Sequence, residues 1–253
     1  MRFLVSLVLA LIATLAHAAD IGISPPRAML TGHPGDTITT TVSVITTANA
    51  EQVVAGDIGD WTIDARGALR LFPAGSLAHS LGAWIELDAT EFILPARSSH
   101  EVRVSITIPD DATGTHQGMV FFTVVPPPSE SGGVGVTTTA RVAYTIYVTI
   151  AGTEVSGSEL IDLYQDDNGS LTAVIVNTGN TVMRLGGVVE LRDEAGAVKH
   201  RLQVPDVPVL RESERELQLP LPDDIEPGFY VALALVEDSR GGLLVGELPF
   251  DVP

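Results

Sequence analysis

Hydrophobic and polar residues alternate along most of this chain. Over Thr37–Ile45, Ile38, Val42 and Val44 alternate with threonines and a serine. Val102, Val104, Ile106 and Ile108 alternate with Arg103, Ser105 and Thr107, and Leu217, Leu219 and Leu221 with Gln218 and Pro220. A period of two sends successive side chains to opposite faces of a pleated strand. Turn clusters punctuate these runs: His33-Pro34-Gly35-Asp36, Ala65-Arg66-Gly67, Asp166-Asp167-Asn168-Gly169 and Asp193-Glu194-Ala195-Gly196. Their Gly, Asn and Asp residues tolerate positive φ or close Asx-turns. No stretch beyond the first 18 residues keeps a helical apolar period for three turns, so the pattern predicts an all-β fold.

A repeated string sets the domain organisation. Val104-Ser105-Ile106-Thr107-Ile108-Pro109-Asp110-Asp111 aligns with Leu217-Gln218-Leu219-Pro220-Leu221-Pro222-Asp223-Asp224. In each copy a strand ends at Pro-Asp-Asp, a glycine follows (Gly114, Gly228), and a further apolar strand begins. Proline has no N–H to offer a ladder, which ends the strand there. Two copies predict two β-sandwiches in tandem, residues 19–152 and 153–253, joined through the small, polar stretch Gly152–Gly157. Residues 1–18 read as a signal peptide: Arg2, an apolar run from Phe3 to Leu15, and Ala16-His17-Ala18 as a small-residue cleavage site. The expected product starts at Ala19 and is soluble in the periplasm, with no integral membrane segment after processing.

Composition narrows the classes of function. The 253 residues include 32 acidic and 14 basic side chains, a net charge of −18 that argues against a nucleic-acid partner. The absence of cysteine removes disulfides, thiolate nucleophiles and Cys-ligated zinc. At 5% aromatics the chain is poor in stacking platforms for sugars or bases. His33, His79, His100, His116 and His200 show no H-x-x-x-H or H-E-x-x-H spacing, and no nucleophile elbow or phosphate loop occurs. Asp166-Asp167-Asn168-Gly169 lacks the spaced ligands and distal glutamate of a calcium loop, and reads as a hairpin turn. Asp57, Asp60 and Asp64 read as a solvated edge. No catalytic residue, metal site or cofactor is expected.

Three segments resemble the N-terminal domain of the periplasmic pilus-assembly chaperones, which have two immunoglobulin-like domains. They are Ile23-Ser24-Pro25-Pro26-Arg27-Ala28-Met29-Leu30-Thr31-Gly32, then Phe121-Phe122-Thr123-Val124-Val125-Pro126-Pro127-Pro128-Ser129-Glu130, and the long alternating run Val134–Ile150. The segments Trp84–Leu87 through Gly118–Phe122 are also similar to immunoglobulin-like domains of WxL-type surface proteins. Val176-Asn177-Thr178-Gly179-Asn180 is similar to the N-x-G-N corner of exported immunoglobulin-like modules.

The resemblance to the chaperones implies an exported, pilus-like subunit as partner. It implies that Arg27 lies between the domains and helps hold the subunit's C-terminal carboxylate, a task suited to a planar guanidinium. It also implies that the upper part of the long strand, Val134, Val136, Thr138 and Ala140, completes a subunit lacking a strand. Such strand addition draws affinity from the ladder and specificity from alternate side chains. The family pairs its arginine with a lysine, and the matching place here is near Thr145. The one lysine of this chain is Lys199, in the other half. Arg141 lies on the same strand face as Thr145, about 13 Å along the strand, and is the candidate substitute. The alternative function is an immunoglobulin-like interaction module of a cell-envelope or surface complex, binding through a flat sheet face or loops.

Overall fold

A computed structural model describes residues 21–126, 139–166 and 169–253. Residues 1–20, which include the expected signal peptide, the Pro127–Thr138 stretch with Val134, Val136 and Thr138, and Asp167-Asn168 lie outside the described residues. All described regular structure is β, in agreement with the alternating pattern. The first sandwich contains β1 (Ile21–Ser24), β2 (Arg27–Gly32), β3 (Thr37–Thr46), β4 (Gln52–Ile63), β5 (Leu69–Pro73), β6 (Ile85–Leu87), β7 (Glu91–Leu94), β8 (Ser99–Thr107), β9 (Gly114–Val125) and β10 (Arg141–Ile150). The second contains β11 (Ser158–Gln165), β12 (Leu171–Asn177), β13 (Met183–Asp193), β14 (Val198–Gln203), β15 (Pro208–Val209), β16 (Glu214–Leu219), β17 (Gly228–Asp238) and β18 (Leu243–Val252).

In the first sandwich one sheet runs β1-β3-β8-β6 and the other β2-β10-β9-β4-β5, with β7 pairing β4. The chain changes sheets between β1 and β2, at Pro25-Pro26, where the missing N–H groups interrupt the ladder. β1 is antiparallel to β3, whereas β2 runs parallel to β10. The second sandwich stacks β11-β12-β16 on β14-β13-β17-β18, with β15 pairing β13. Each sandwich has its own core. Val42, Val102, Val104, Ile106, Val120, Phe122, Tyr144, Ile146 and Val148 fill the first, and Leu171, Ile175, Val189, Leu191, Leu217, Ala232 and Val236 the second.

The two Pro-Asp-Asp strings make the same turn. Ala112 N–H donates to Pro109 C=O and Ile225 N–H to Pro222 C=O, each at 3.2 Å. Gly114 and Gly228 then open β9 and β17 at positive φ, 71° and 152°. The Asp166 turn is a hairpin: Asp166 N–H donates to Ser170 C=O between β11 and β12. Asp60 departs from the expected solvated edge. Its carboxylate is fully buried and accepts from Leu77 N–H at 2.9 Å and Ser80 Oγ at 2.5 Å, folding the β5–β6 connection onto β4. Asp57 and Asp64 stay at the surface, where Asp64 accepts from Ala68 N–H and Arg70.

A third cluster joins the two sandwiches. Trp61, Met119, Phe121 and Tyr147 pack with Leu210, and with Val182 at its margin. β9 is therefore buried almost throughout: Val120 and Phe122 face the first core, Met119 and Phe121 the joint. The consecutive Phe121-Phe122 pair follows from a strand covered on both faces. The Asn177–Asn180 corner ties the joint. Asn177 Nδ2 donates to Thr181, Val209 and Leu210 carbonyls, while Asn180 C=O accepts Thr115 N–H at 2.8 Å. The Gly152–Gly157 connection is held rather than loose: Asn180 Nδ2 donates to Thr153 C=O, and Val155 N–H to Asn180 Oδ1.

Candidate functional site

β10 is the centre of the site. Its even positions, Val142, Tyr144, Ile146, Val148 and Ile150, pack into the first core. Its odd positions share the face that looks toward the second sandwich, since Ala143 and Tyr147 belong to the joint cluster. β2 covers one edge of β10 in register from Thr145 opposite Arg27 to Ile150 opposite Gly32. Thr145 N–H donates to Pro26 C=O at 3.2 Å, and there the pairing stops. On that edge, Arg141–Tyr144 have no neighbouring strand among the described residues, although β9 pairs them on the other side. Ala140 precedes the strand, and its C=O accepts Val124 N–H at 3.0 Å, carrying the β9 pairing one step further.

Parallel partners share a face, so Arg27 and Met29 stand beside Thr145 and Tyr147 on the side facing the second sandwich. The residue beside Arg27 on β10 is thus Thr145, an uncharged side chain. Arg27 is exposed and has no hydrogen bond or ion pair among the described residues. In the second sandwich, Arg184 of β13 donates through Nε to Asp206 Oδ1 at 2.6 Å and through Nη2 to Asp206 C=O at 2.9 Å. The Arg184 guanidinium holds the Asp206 carboxyl below its ordinary value, and Arg27 adds to the pull. Burial pushes the Tyr147 hydroxyl up, while the charges of Arg27 and Arg184 oppose that rise. Two guanidinium groups, one from each sandwich, thus act on the same hydroxyl and the same carboxylate.

Arg141 is engaged elsewhere. Its guanidinium lies 3.8 Å over the Phe121 ring and donates to Asp57 Oδ2 at 2.9 Å. It sits at the wall of a 500 Å³ groove with Asp57, Leu71, Phe72 and Phe121. Leu69, Leu71 and Met29 are half or more exposed, giving this sheet face an apolar character at both margins. Lys199 lies on β14, paired with Asp193 at 3.2 Å.

The sequence reading missed Tyr147, Arg184 and Asp206. Arg184 and Asp206 reach the cleft only through the packing of the second sandwich, and no spacing encodes that. Tyr147 had a readable signal: it occupies the odd face of a strand whose even face is all core. Among the described residues no cluster of three or more His, Asp or Glu is placed to hold a metal ion, and no helix is long and apolar enough to cross a membrane.

The two tandem β-sandwiches give this chain a fold similar to that of solved fimbrial chaperones. The class 5 fimbriae chaperone CfaA aligns over 92% of this chain and 100% of its own, with a TM-score of 0.50 and 14% identity. A chain from the complex of the Salmonella enterica SafA pilin with the SafB chaperone aligns over 93% and 97%, with a TM-score of 0.51 and 14% identity. A chain from a chaperone–tip adhesin complex of CFA/I fimbriae biogenesis aligns over 92% and 98%, with a TM-score of 0.51 and 13% identity. No protein-family model and no curated sequence matches the chain.

Proposed function

We propose that this chain is a periplasmic chaperone that binds an exported, β-rich, pilus-like subunit by strand complementation, without a cofactor. One observation carries the reading: β10 has a bare ladder edge at Arg141–Tyr144, and Arg27 stands unpaired where the β2 cover ends. A subunit strand laid along that edge would extend past Ala140 toward Thr138, Val136 and Val134, whose alternate side chains would fill its groove. Its C-terminal carboxylate would meet Arg27, with Arg184 across the cleft as the second cation in place of the missing lysine. A guanidinium bonded to a carboxylate contributes about 1.5–3 kcal/mol. Arg141 borders the same edge and would contact the incoming strand from over Phe121. The CfaA and SafB likenesses support this reading through the fold they share with the chain.

The test is co-purification from the periplasm with a subunit that lacks its last strand. The full-length protein is expected to retain it, and Arg27→Ala and Val136→Asp each to lose it at nearly unchanged stability. Binding indifferent to both substitutions would overturn strand complementation and favour an interaction module that uses the Leu69–Leu71 face.

A further inference from the structure

The joint between the sandwiches contains a second polar cluster that the cleft does not use. His116, at the start of β9, lies against Trp84 with ring centroids 4.3 Å apart and meets His79 edge-on at 5.8 Å. His79 comes from the β5–β6 connection that Asp60 folds inward, and its backbone C=O accepts Gln117 N–H. The second sandwich supplies Arg211 and Glu212 from the β15–β16 loop. Arg211 Nη1 donates across the joint to Thr113 C=O at 2.8 Å, and Nη2 donates to Glu212 Oε1 at 3.0 Å. Glu212 Oε2 stands 3.4 Å from His79 Nε2. The Arg211 side chain is only 8% exposed. His116 Nδ1 and Arg211 Nε are buried with no hydrogen-bond partner.

The charge balance of this cluster depends on pH. With both imidazoles neutral, Arg211 and Glu212 compensate each other. The charged and titratable groups facing His116 are Arg211 and His79; those facing His79 are Arg211, Glu212 and His116. Glu212 is the one anion among them, and it already bonds Arg211. A proton on His116 would sit in a desolvated position beside a cation that cannot leave without breaking the Thr113 bond. Desolvation first, then Arg211 and His79, hold the His116 imidazole down to about 4 against the backbone of Thr113 and Ser80, and desolvation with Arg211 lowers His79 despite the opposing pull of Glu212. Both imidazoles regain a normal affinity for protons once the joint opens and water reaches them. Protonation therefore favours an open joint over a closed one.

We propose that His116, His79 and Arg211 form an acid-released latch that fixes the angle between the two sandwiches at neutral pH and frees it in acid. The device works on the joint itself, whatever occupies the cleft. Because Tyr147 packs in the joint and Arg27 and Arg184, one from each sandwich, both act on it, opening the latch changes the spacing of the two cations.

The absence of cysteine makes the test direct. Glu101→Cys and Glu247→Cys, one exposed site on each sandwich, carry a donor–acceptor dye pair on the full chain, read with circular dichroism from about pH 7.5 to about pH 4.5. The expected result is a change in the inter-dye distance below about pH 6.5 while the β signal stays native. His116→Phe keeps the ring stack on Trp84 and removes the proton site, and should hold the neutral-pH distance at least about one pH unit further into acid. His79→Gln should shift the midpoint the same way by less, and serves alone if the Phe variant does not fold. A constant distance across this range in the native-like wild type would overturn the latch, as would a foldable variant set that titrates like the wild type.

Discussion

Replacing Gly114 by alanine tests whether the joint is held by the contacts described. Gly114 opens β9 at a φ of 71°, and a Cβ there would stand 2.2 Å from the Asn180 carbonyl oxygen and 2.8 Å from its Cγ. An L-residue in the left-handed region costs about 1–2 kcal/mol. Displacing Asn180 also breaks the Thr115 N–H bond to its carbonyl and strains its grip on Thr153, a further loss of about 1–2 kcal/mol. Gly228, its counterpart in the repeated corner, is the control. It too has a positive φ, 152°, but a Cβ there meets only the Tyr230 ring, at 3.9 Å. Gly228→Ala should therefore cost only the strain of its Gly-favoured conformation, about 1–2 kcal/mol, against about 3 kcal/mol for Gly114→Ala. Urea unfolding of the full chain, followed by the fluorescence of Trp61 and Trp84 and by circular dichroism, measures both. Equal losses for the two variants would refute the claim that the Asn180 corner locks the sandwiches together.

Other consequences follow from the same contacts. Arg141→Ala should lower stability by less than about 1.5 kcal/mol, because an exposed ion pair and one cation–π contact contribute little each; thermal unfolding checks it. Glu190 accepts from Arg192 and Arg201, which hold its carboxyl below the ordinary value. Its stabilisation is present above the normal carboxylate range and is lost as pH falls through the lowered value, so Glu190→Gln should flatten the acid limb of a stability-versus-pH curve measured by urea unfolding. Residues 153–253 carry a core of their own and should give a cooperative melt when produced alone; a featureless melt would contradict that.

Much of the fold could be read from local pattern because sheet burial has a period of two. β3 and β8 show it plainly, and the Pro-Asp-Asp strings foretold matching turns that start β9 and β17. The register of Arg27 against Thr145 was not legible in the same way, because β2 and β10 lie 118 positions apart and alternation within each strand does not set their pairing. Asp60 did not follow: its burial depends on Leu77 and Ser80, in a connection with no periodic signal. The latch was invisible for the same reason. His79 and His116 lie 37 positions apart and meet only because the β5–β6 connection folds back beside β9. Arg184 and Asp206 reach the cleft through the packing of one sandwich on the other, which hydrophobic alternation does not encode.

The central claim is that a subunit strand adds to the bare edge of β10. Amide hydrogen exchange on the full chain, alone and bound to a subunit lacking its last strand, tests it most directly. New protection is expected at the Arg141 and Ala143 amides, which point to the bare edge, and at alternate amides from Val134 onward, with β5 and the outer strand β18 unchanged. Protection confined to the Leu69–Leu71 face or to the second sandwich, with Val134–Tyr144 exchanging as in the free protein, would contradict it.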